Sequence, residues 1–430
     1  MKQLLAYCLS IILCVSFTGC MENYLDLYPE DKITSASFPE NESDIKLLLN
    51  GVYAQLREKE VYNQGLFGFG ITDGATPNAF NWGTDEVFNK LGAGRLSSSD
   101  GGVVTYRWKR CYEIISRANY LLACMDLVDL SEEAKAKYSG ETHFLRGLAY
   151  SVLAETYGGV PIILTDISTE EARSLKRASL EETWQQALDD YEVAITNLGV
   201  DAPEPGRATK GAALGMKMRA YLYQGKYKEV LSCVEQIDAL KKYGLFHSYE
   251  GLFDPANENN KEVLFDIQYI EGENSQGSYI DQYCGTGTGS WTRGSRYVPT
   301  DDLVAAYETI DGSPVDPDNP YENRDPRLGF TAVLPGSYFL GYRFPNYLYP
   351  GGAFNHAGNR LKHLSTRKYR IQDESKLPPS GQSYINDIIL RYADVLLSKA
   401  EAIIETNGNV ADAIAILNRI RTERDDVKIS

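Results

Sequence analysis

The sequence predicts a mainly α fold, in which tetratricopeptide-like helix pairs form a right-handed helical scaffold with long irregular insertions and a few short strands. Three observations support this prediction. Apolar residues recur at helical spacing in several long segments. Some of these segments are joined in pairs by short turns containing Gly or Asn, as in repeats that stack two helices at a time. Residues 246–383, rich in Gly, Pro and aromatic residues, separate the last pair from the others.

Composition and charge narrow the possible functions. The chain has 430 residues, of which 43% are hydrophobic and 24% are charged, which is typical of a globular protein. Its formal net charge is -16, and this acidic balance argues against nucleic acid or anionic lipid headgroups as main partners. The 30 tyrosines suit both cores and binding faces, because the ring packs while the hydroxyl remains available.

The N-terminus carries a processing pattern. A positive start at Lys2 is followed by the apolar run Leu4–Phe17. That run is too short for a membrane span, which needs about 20 residues, and fits a secretory signal. Small residues then precede Cys20, as in a bacterial lipobox. We therefore expect residues 1–19 to be the signal peptide and Cys20 to be acylated. The alternative is an ordinary signal cut near Gly19, with Cys20 a plain thiol.

The remaining cysteines predict neither a disulfide framework nor a zinc site. Of seven cysteines, two leave with the signal and one is the predicted lipid-bearing residue. The other four are far apart and form no CxxC pair. They are Cys111, Cys124, Cys233 and Cys284. The first three lie in helical patterns, which indicates small core residues.

The domain prediction has a tether followed by one body. Residues 20–40 are polar and form the tether, and residues 41–430 form a single domain. Within this domain we expect a helical part at about 41–245, a loop-rich insertion at about 246–383 and a helix pair at about 384–425. The insertion includes "EVLFDIQYI", whose alternating apolar residues predict a short strand.

The first half of the chain shows helix boundaries. Ser43 is expected to open the first helix. Residues 103–130 form the second, in which Asn119 interrupts an apolar stripe and is predicted to bond the backbone of a neighbouring helix. The third helix should stop at Gly158, with Pro161 shortly after it.

Later boundaries are equally clear. Ser179 and Glu182 have the spacing of a capping box. Two helices meet at Gly225, and small residues such as Gly215 are expected where helices approach closely. Residues 385–406, "INDIILRYADVLLSKAEAIIET", predict one helix, which the turn "NGN" joins to a second.

The order of these motifs resembles that of the SusD/RagB family of outer-membrane nutrient-uptake lipoproteins of Bacteroidetes. Matching stretches span nearly the whole chain and include "ETHFLRGLAYSVLAETYGGVPI", "DGSPVDPDNPYENRDPRLGFTAVLPG" and "NDIILRYADVLLSKAEAIIE". The usual further segment after the LN-x-IR element is not found before Ser430. We therefore expect a short or truncated member that lacks this C-terminal segment.

The resemblance implies a function as well as a fold. It implies four tetratricopeptide-like pairs on one side, packed against a TonB-dependent SusC-like transporter, and ligand contacts on the other. The protein would act as a lid that delivers oligosaccharide to the transporter. Some members take peptides instead. It further implies a lipid-anchored, surface-exposed position at the cell outer membrane, with no cofactor.

Enzyme chemistry is not expected. None of the four histidines lies in an HExxH motif, and His143 is expected to be structural. GxSxG is absent, and no metal ligands are predicted. The pairs Asp189-Asp190 and Asp301-Asp302 are expected to be solvated or capping groups, although distant carboxylates meeting in a cleft stay possible. Residues 324–327, "RDPR", are expected to fix a turn through an Arg-Asp pair.

Two loops combine aromatic rings with planar polar groups, as a sugar site requires. The predicted binding residues are Asp73, Asn78, Asn81 and Trp82 in the first loop and Tyr283, Trp291, Arg293 and Tyr297 in the second. Trp108 and Trp184 fall in helical patterns and are expected to pack instead. Alternatively, the loop tryptophans pin their own loops. Glycan capture is the leading hypothesis, followed by peptide capture, a purely structural transporter partner, and a hydrolase.

Overall fold

A computed structural model confirms the mainly α prediction. It describes residues 38–58, 73–81, 90–97, 99–271, 277–278, 280, 297–339, 342–343, 364–378 and 382–427. Three predicted features lie outside these ranges: the signal peptide, the lipidation residue Cys20 and nearly all of the tether. No helix within these ranges is both long enough and apolar enough to cross a membrane.

The α-helices of the described ranges are α1 (Glu42–Ala54), α2 (Val103–Cys124), α3 (Glu132–Tyr157), α4 (Thr169–Ser174), α5 (Leu180–Asn197), α6 (Lys210–Tyr223), α7 (Tyr227–Ala239), α8 (Asp301–Ala306), α9 (Pro326–Thr331), α10 (Tyr392–Glu405) and α11 (Val410–Thr422). The strands are β1 (Ala79–Asn81), β2 (Val263–Ile267), β3 (Tyr297–Pro299), β4 (Ala332–Val333), β5 (Tyr338–Phe339), β6 (Tyr342–Arg343), β7 (Ser365–Thr366) and β8 (Asp387–Arg391). They pair as four two-stranded antiparallel sheets, β1-β3, β2-β8, β4-β7 and β5-β6.

Helix ends follow the predicted capping chemistry with one shift. Ser179 and Glu182 form the expected capping box at the start of α5. Gly158 ends α3 with φ 77, a left-handed value that glycine adopts without strain. The first helix is capped by Asn41, whose side chain accepts hydrogen bonds from the backbone of Ser43 and Asp44. The prediction that Ser43 opens this helix was therefore two residues late.

Helices α1–α3, α5–α7, α10 and α11 form a helix stack around one large core. Helix α3 packs against both α2 and α5, and α7 links this group to α10. Two adjacent apolar rows of α3 are buried in this core. These rows comprise Phe144, Leu148, Val152, Leu145, Ala149 and Leu153. Trp184 is buried in the same core and Trp108 packs against it, as the sequence predicts.

The prediction of one helix over residues 385–406 was wrong at its start. Residues Asp387–Arg391 form β8, which pairs antiparallel with β2, and the helix begins at Tyr392. The apolar residues of β8 run without a break into the periodic pattern of α10, so local sequence does not separate them. The partner strand, more than a hundred residues earlier, decides the conformation because it supplies the ladder hydrogen bonds.

Gly215 is close to strands rather than to another helix. A Cβ atom there would lie 2.2 Å from Leu390 Cδ2 in β8 and 3.1 Å from Leu264 Cδ2 in β2. The lack of a side chain at Gly215 therefore leaves room for the leucines of the β2-β8 sheet. This corrects the expected approach of two helices at this residue. Gly225, with φ 67, forms the predicted turn between α6 and α7.

Of the acidic pair Asp189-Asp190, Asp189 is exposed as predicted, whereas Asp190 is not. Asp190 is 1% exposed, and its Oδ1 lies 2.7 Å from Nη2 of Arg146. Arg146 also donates to Asn119 Oδ1 at 2.8 Å, and Asn119 Nδ2 donates to the carbonyl of Ile163 at 3.0 Å. Asn119 thus bonds backbone, as expected, but that of the segment after α3 instead of a helix. Asp190 is a buried structural group, because an uncompensated carboxylate would be costly there.

Three of the predicted core thiols are found where expected. Cys111, Cys124 and Cys233 are buried and free, while Cys284 lies outside the described residues. Burial raises the pKa of the Cys111 thiol to about 12 and that of Cys233 to about 11. Such thiols remain protonated at neutral pH and are therefore unreactive.

Candidate functional site

The predicted binding residues divide into those the structure describes and those it does not. Trp82, Tyr283, Trp291 and Arg293 lie outside the described residues. The described ones are Asp73, Asn78, Asn81 and Tyr297.

Strands β1 and β3 bring the two predicted binding loops together. Asn81 is paired with Tyr297 in the antiparallel register, although the two residues come from different halves of the chain. Just beyond the strands, the backbone N–H of Thr300 donates to the carbonyl of Asn78 at 3.1 Å. The Thr300 hydroxyl also donates to the carbonyl of Pro77. The loops singled out separately by composition therefore meet through backbone hydrogen bonds.

The first loop presents polar and aromatic groups near this sheet. Asn78 is exposed, and the Phe80 side chain in β1 is 45% exposed. An exposed ring of this kind can stack on the apolar face of a ligand. Asp73 opens a short 3-10 turn and is half-buried. Burial raises the pKa of the Asp73 carboxyl, and the nearby Lys368 ammonium partly offsets that rise.

Lys368, the charged neighbour of Asp73, lines a pocket that the sequence analysis did not predict. The pocket has a volume of about 310 Å³, near the lower end of the range for small-molecule sites. Its lining includes Glu250, Phe253, Phe330, Arg367, Lys368 and Tyr369. We call it the cation–aromatic pocket. It lies in the insertion, where a ligand surface was expected.

Lys368 projects among the rings of this pocket. Its Nζ lies 4.4 Å from the Phe253 ring centroid and 4.9 Å from that of Tyr369. Both distances fall in the range of cation–π attraction. Burial acts to lower the pKa of Lys368, but its ionisable neighbours, led by Tyr249 and Tyr369, raise it above the ordinary value. The side chain is therefore charged at neutral pH.

A strained turn presents Lys368 to the pocket. Tyr369 has φ 59, a left-handed conformation that costs a non-glycine residue energy unless its surroundings impose it. The backbone N–H groups of Arg367 and Lys368 both donate to the carbonyl of Thr331, at 2.8 and 3.3 Å. The turn is thus tied to the end of α9, which fixes where the lysine points.

The "RDPR" segment forms the start of α9, the helix to which this turn is tied. Arg324 donates to the carbonyls of Val304 at 2.6 Å and Tyr307 at 2.5 Å. The Asp325 carboxylate accepts from Arg327, with Nη2 to Oδ2 at 2.5 Å. The expected Arg-Asp pair is therefore formed by Asp325 and Arg327, while Arg324 fixes the turn through backbone carbonyls. Its role is structural, as predicted.

The histidine and acidic groups considered for catalysis have structural surroundings. His143 Nδ1 lies 2.8 Å from the carbonyl of Ser139, and burial lowers the pKa of this histidine. Asp301 and Asp302 occupy the exposed first turn of α8, as expected of capping groups. Within the described residues, no group of three or more His, Cys, Asp or Glu side chains is arranged to hold a metal ion.

Two family models match most of the chain. A SusD-like model described as "starch-binding associating with outer membrane" matches residues 23–222. A second, described as the SusD family, matches residues 261–424. A similar relative, SusD-like protein P25 of Formosa agariphila, is 26% identical, and the match covers 98% of this chain and 81% of the relative.

Solved structures with the same architecture include two from Bacteroides fragilis. One is a SusD-like protein with a TM-score of 0.77 and 26% identity, covering 92% of this chain and 81% of that one. The other is a SusD-like carbohydrate-binding protein, also with a TM-score of 0.77 and 26% identity, covering 90% of this chain and 80% of that one.

Proposed function

The chain belongs to the SusD family, and we propose that it is a non-catalytic binding lipoprotein of the outer membrane. In this proposal it captures an oligosaccharide and delivers it to a TonB-dependent SusC-like transporter. The observation that carries the proposal is the β1-β3 pairing, which joins two loops independently predicted to bind sugar. A similar protein of known structure is described as carbohydrate binding, which supports a glycan as the ligand.

The proposed site uses the chemistry that sugars present. Aromatic rings such as Trp82 and Trp291 would stack on the C–H faces of a pyranose. Amide and carboxylate groups, Asn78, Asn81 and Asp73 among them, would bond the hydroxyls in pairs. Among these groups, Asn78 and Asn81 lie on backbone that is hydrogen-bonded to residues 297–300, and such an arrangement reduces the ordering cost of binding.

The proposed anchor is the lipid on Cys20. The family description, with its association to the outer membrane, supports this location. Cys20→Ser should abolish incorporation of radiolabelled palmitate and release the protein from the membrane fraction. A Cys233→Ser variant is the matched control, because that thiol is buried in the core. A Cys20→Ser protein that still carries label contradicts the anchoring proposal.

A glycan panel tests the binding function. The purified protein is titrated calorimetrically with neutral and acidic oligosaccharides, alongside Trp82→Ala and Trp291→Ala. We expect each variant to lose roughly tenfold or more in affinity for the ligand that wild type binds. Tyr223→Ala is the matched control, because Tyr223 is a half-exposed aromatic residue on the helix stack.

Each other result assigns the protein differently. Two tryptophan variants that bind like wild type contradict the site. Binding of peptides in place of glycans supports peptide capture. Absence of any ligand, with the transporter still co-purifying, supports a structural lid. Turnover of a glycan by the purified protein overturns the non-catalytic proposal.

A further inference from the structure

In the cation–aromatic pocket, neither acid of the lining is paired with Lys368. Glu250, one of the two acids in the lining, is paired with Arg367, whose Nη2 lies 2.5 Å from its Oε1. Asp254 accepts from the backbone N–H of Ala256 at 2.8 Å and so caps a turn. Lys368 forms no ion pair and no side-chain hydrogen bond with any residue that the structure describes. The two carboxylates in the lining are therefore engaged elsewhere.

Aromatic rings lie close to the Lys368 ammonium, but their faces do not accept its hydrogen bonds. The Phe253 and Tyr369 rings meet edge to face, with centroids 4.7 Å apart and an angle of 63°. The Tyr249 ring packs against Phe253 in the same manner, at 5.6 Å and 80°. An ammonium has three N–H donors, and ring faces offer it no lone pair. The arrangement therefore fixes the position of a charge while leaving its donors available to an acceptor.

We propose that this pocket binds an anionic group, a carboxylate or a sulfate ester, on an acidic sugar residue of the captured glycan. The inference rests on the proposed glycan-binding function and narrows its substrate class. Lys368 supplies the charge, and the rings of Phe253 and Tyr369 supply apolar walls. The volume of about 310 Å³ is suited to one sugar residue rather than a longer segment.

The negative net charge of the chain does not oppose this inference at short range. The formal net charge of -16 is spread over the whole sequence. At physiological ionic strength, charges separated by more than about 8 Å in solvent are largely screened. An anion inside the pocket therefore interacts mainly with Lys368 and its immediate neighbours. Asp73 is one such neighbour, and it limits how many negative charges the site accepts.

Charge-matched variants test the inference in the full-length protein. Lys368→Met keeps the length of the side chain and removes its charge, whereas Lys368→Arg keeps the charge. Lys228→Met removes an exposed lysine charge on α7 and is the matched control. Calorimetric titrations compare uronate oligosaccharides, sulfated oligosaccharides and neutral glucans of equal length. Thermal unfolding of every variant is measured in parallel.

We expect Lys368→Met to lose roughly tenfold or more in affinity for the acidic ligand, since a hydrogen bond to a charged group is lost. Lys368→Arg and Lys228→Met should stay within about threefold of wild type. Whichever acidic series binds identifies the group as carboxylate or sulfate. Equal acidic-ligand affinities of wild type and a folded Lys368→Met overturn the inference.

A second measurement keeps the test decisive where Lys368→Met unfolds. Wild-type affinity for the acidic ligand should fall as salt rises from 50 to 500 mM, while affinity for neutral glucans should not. A salt-independent acidic affinity overturns the inference. Binding of neutral glucans alone overturns it too but leaves the proposed function standing. If no glycan binds, both the inference and the proposed glycan-binding function are contradicted.

Discussion

In the helix stack, the buried carboxylate of Asp190 meets the guanidinium of Arg146 at 2.7 Å. In the insertion, Asp266 is similarly buried, at 3% exposed, but its partners are amides. Gln268 Nε2 donates to it at 2.6 Å and Asn386 Nδ2 at 3.1 Å. The first acid is held by an opposite charge, whereas the second is held by neutral donors.

The same contrast applies to cations. Arg146 in the stack has both an acid and an amide partner, while Lys368 in the insertion faces rings. The charge of this Arg146–Asp190 pair is thus compensated within the fold, and the pair joins α3 to α5. In the insertion, Asp266 and Lys368 have no ion-pair partner among the described residues, although other charges there are paired, such as Glu250 with Arg367. The two pairs of groups therefore differ in how their charge is stabilised.

The largest expected effect is on the stack. Arg146→Met leaves Asp190 buried without a cation and removes a donor from Asn119. We expect a loss of about 3–5 kcal/mol in the free energy of unfolding, measured by urea denaturation. The double variant Arg146→Met/Asp190→Leu should recover much of that loss, because no charge remains buried.

A surface pair provides the control for that prediction. Lys46 Nζ lies 2.7 Å from Glu204 Oε1, with both side chains about half exposed. Lys46→Met should cost about 0–1 kcal/mol, since exposed pairs contribute little. Equal effects of Arg146→Met and Lys46→Met would remove the distinction between compensated buried charge and surface charge.

Asp266 gives the next effect, which depends on pH. Burial raises its pKa to about 6, with the amide donors acting in the other direction. Because the folded protein holds this proton more tightly than the unfolded chain, the contribution of Asp266 to stability is fully present below about pH 4 and is lost as the pH rises through about 6. The total loss is about 3 kcal/mol by the usual 1.36 kcal/mol for each pKa unit.

The isosteric change Asp266→Asn tests that sign. The variant has no carboxyl to titrate at this position and should not lose this stability. The free energy of unfolding of the variant, measured by urea denaturation, should therefore increase relative to that of wild type between pH 4 and pH 7. Burial raises the pKa of Glu258 to about 7, and the Asp266 carboxylate adds to that rise. Asp266→Asn removes the second cause, so the smaller shift of Glu258 in the variant weakens the decline in the same direction. Identical pH dependences of the two proteins would show that Asp266 is compensated like Asp190.

A smaller effect concerns the contact between the two regions. Gly215→Ala places a Cβ 2.2 Å from Leu390 Cδ2, so either the Leu390 side chain or the β2-β8 sheet that carries it must move. We expect a loss of about 1–3 kcal/mol in the free energy of unfolding. Gly101→Ala is the control, because a Cβ there has no heavy atom within 4 Å. A loss below about 0.5 kcal/mol for Gly215→Ala would mean that the two regions pack loosely.

The smallest effect is at a helix cap. Ser179→Ala removes the oxygen that accepts from the backbone N–H of Glu182 at 3.1 Å, and should cost about 1 kcal/mol. Ser179→Thr retains an acceptor and should cost less. Thermal unfolding monitored by circular dichroism measures both. A Thr variant as unstable as the Ala variant would attribute the effect to packing instead of capping.

Features determined by local chemistry were predictable from the sequence. Ser179, Gly158 and Gly225 occupy the caps and turns that their neighbours along the chain require. The burial of Cys111 followed from helical spacing. The β8 strand and the environment of Gly215 were not predictable, because both depend on a partner strand distant in sequence. The Arg146 partner of Asp190 was missed for the same reason.

The candidate site was predictable in part. Composition singled out the segments of Asn81 and Tyr297, but only the register of β1 and β3 brings them together. Lys368 was missed because the sequence does not show which charges surround it. Only the three-dimensional structure reveals that it has no ion-pair partner among the described residues. One signal was present in the sequence: residues 367–370, "RKYR", are a dense cationic run in a chain of net charge -16.

The β1-β3 sheet has a kinetic consequence. Thr300 and Pro77, joined at its edge, are 223 positions apart in the sequence, so this contact closes a very long loop. Strands of three residues have little stability of their own. The sheet is therefore expected to form after the helix stack and to open before it. An oligosaccharide that contacts both strands would stabilise the paired state of the sheet. Binding should therefore slow proteolytic cleavage of the two loops that the sheet joins.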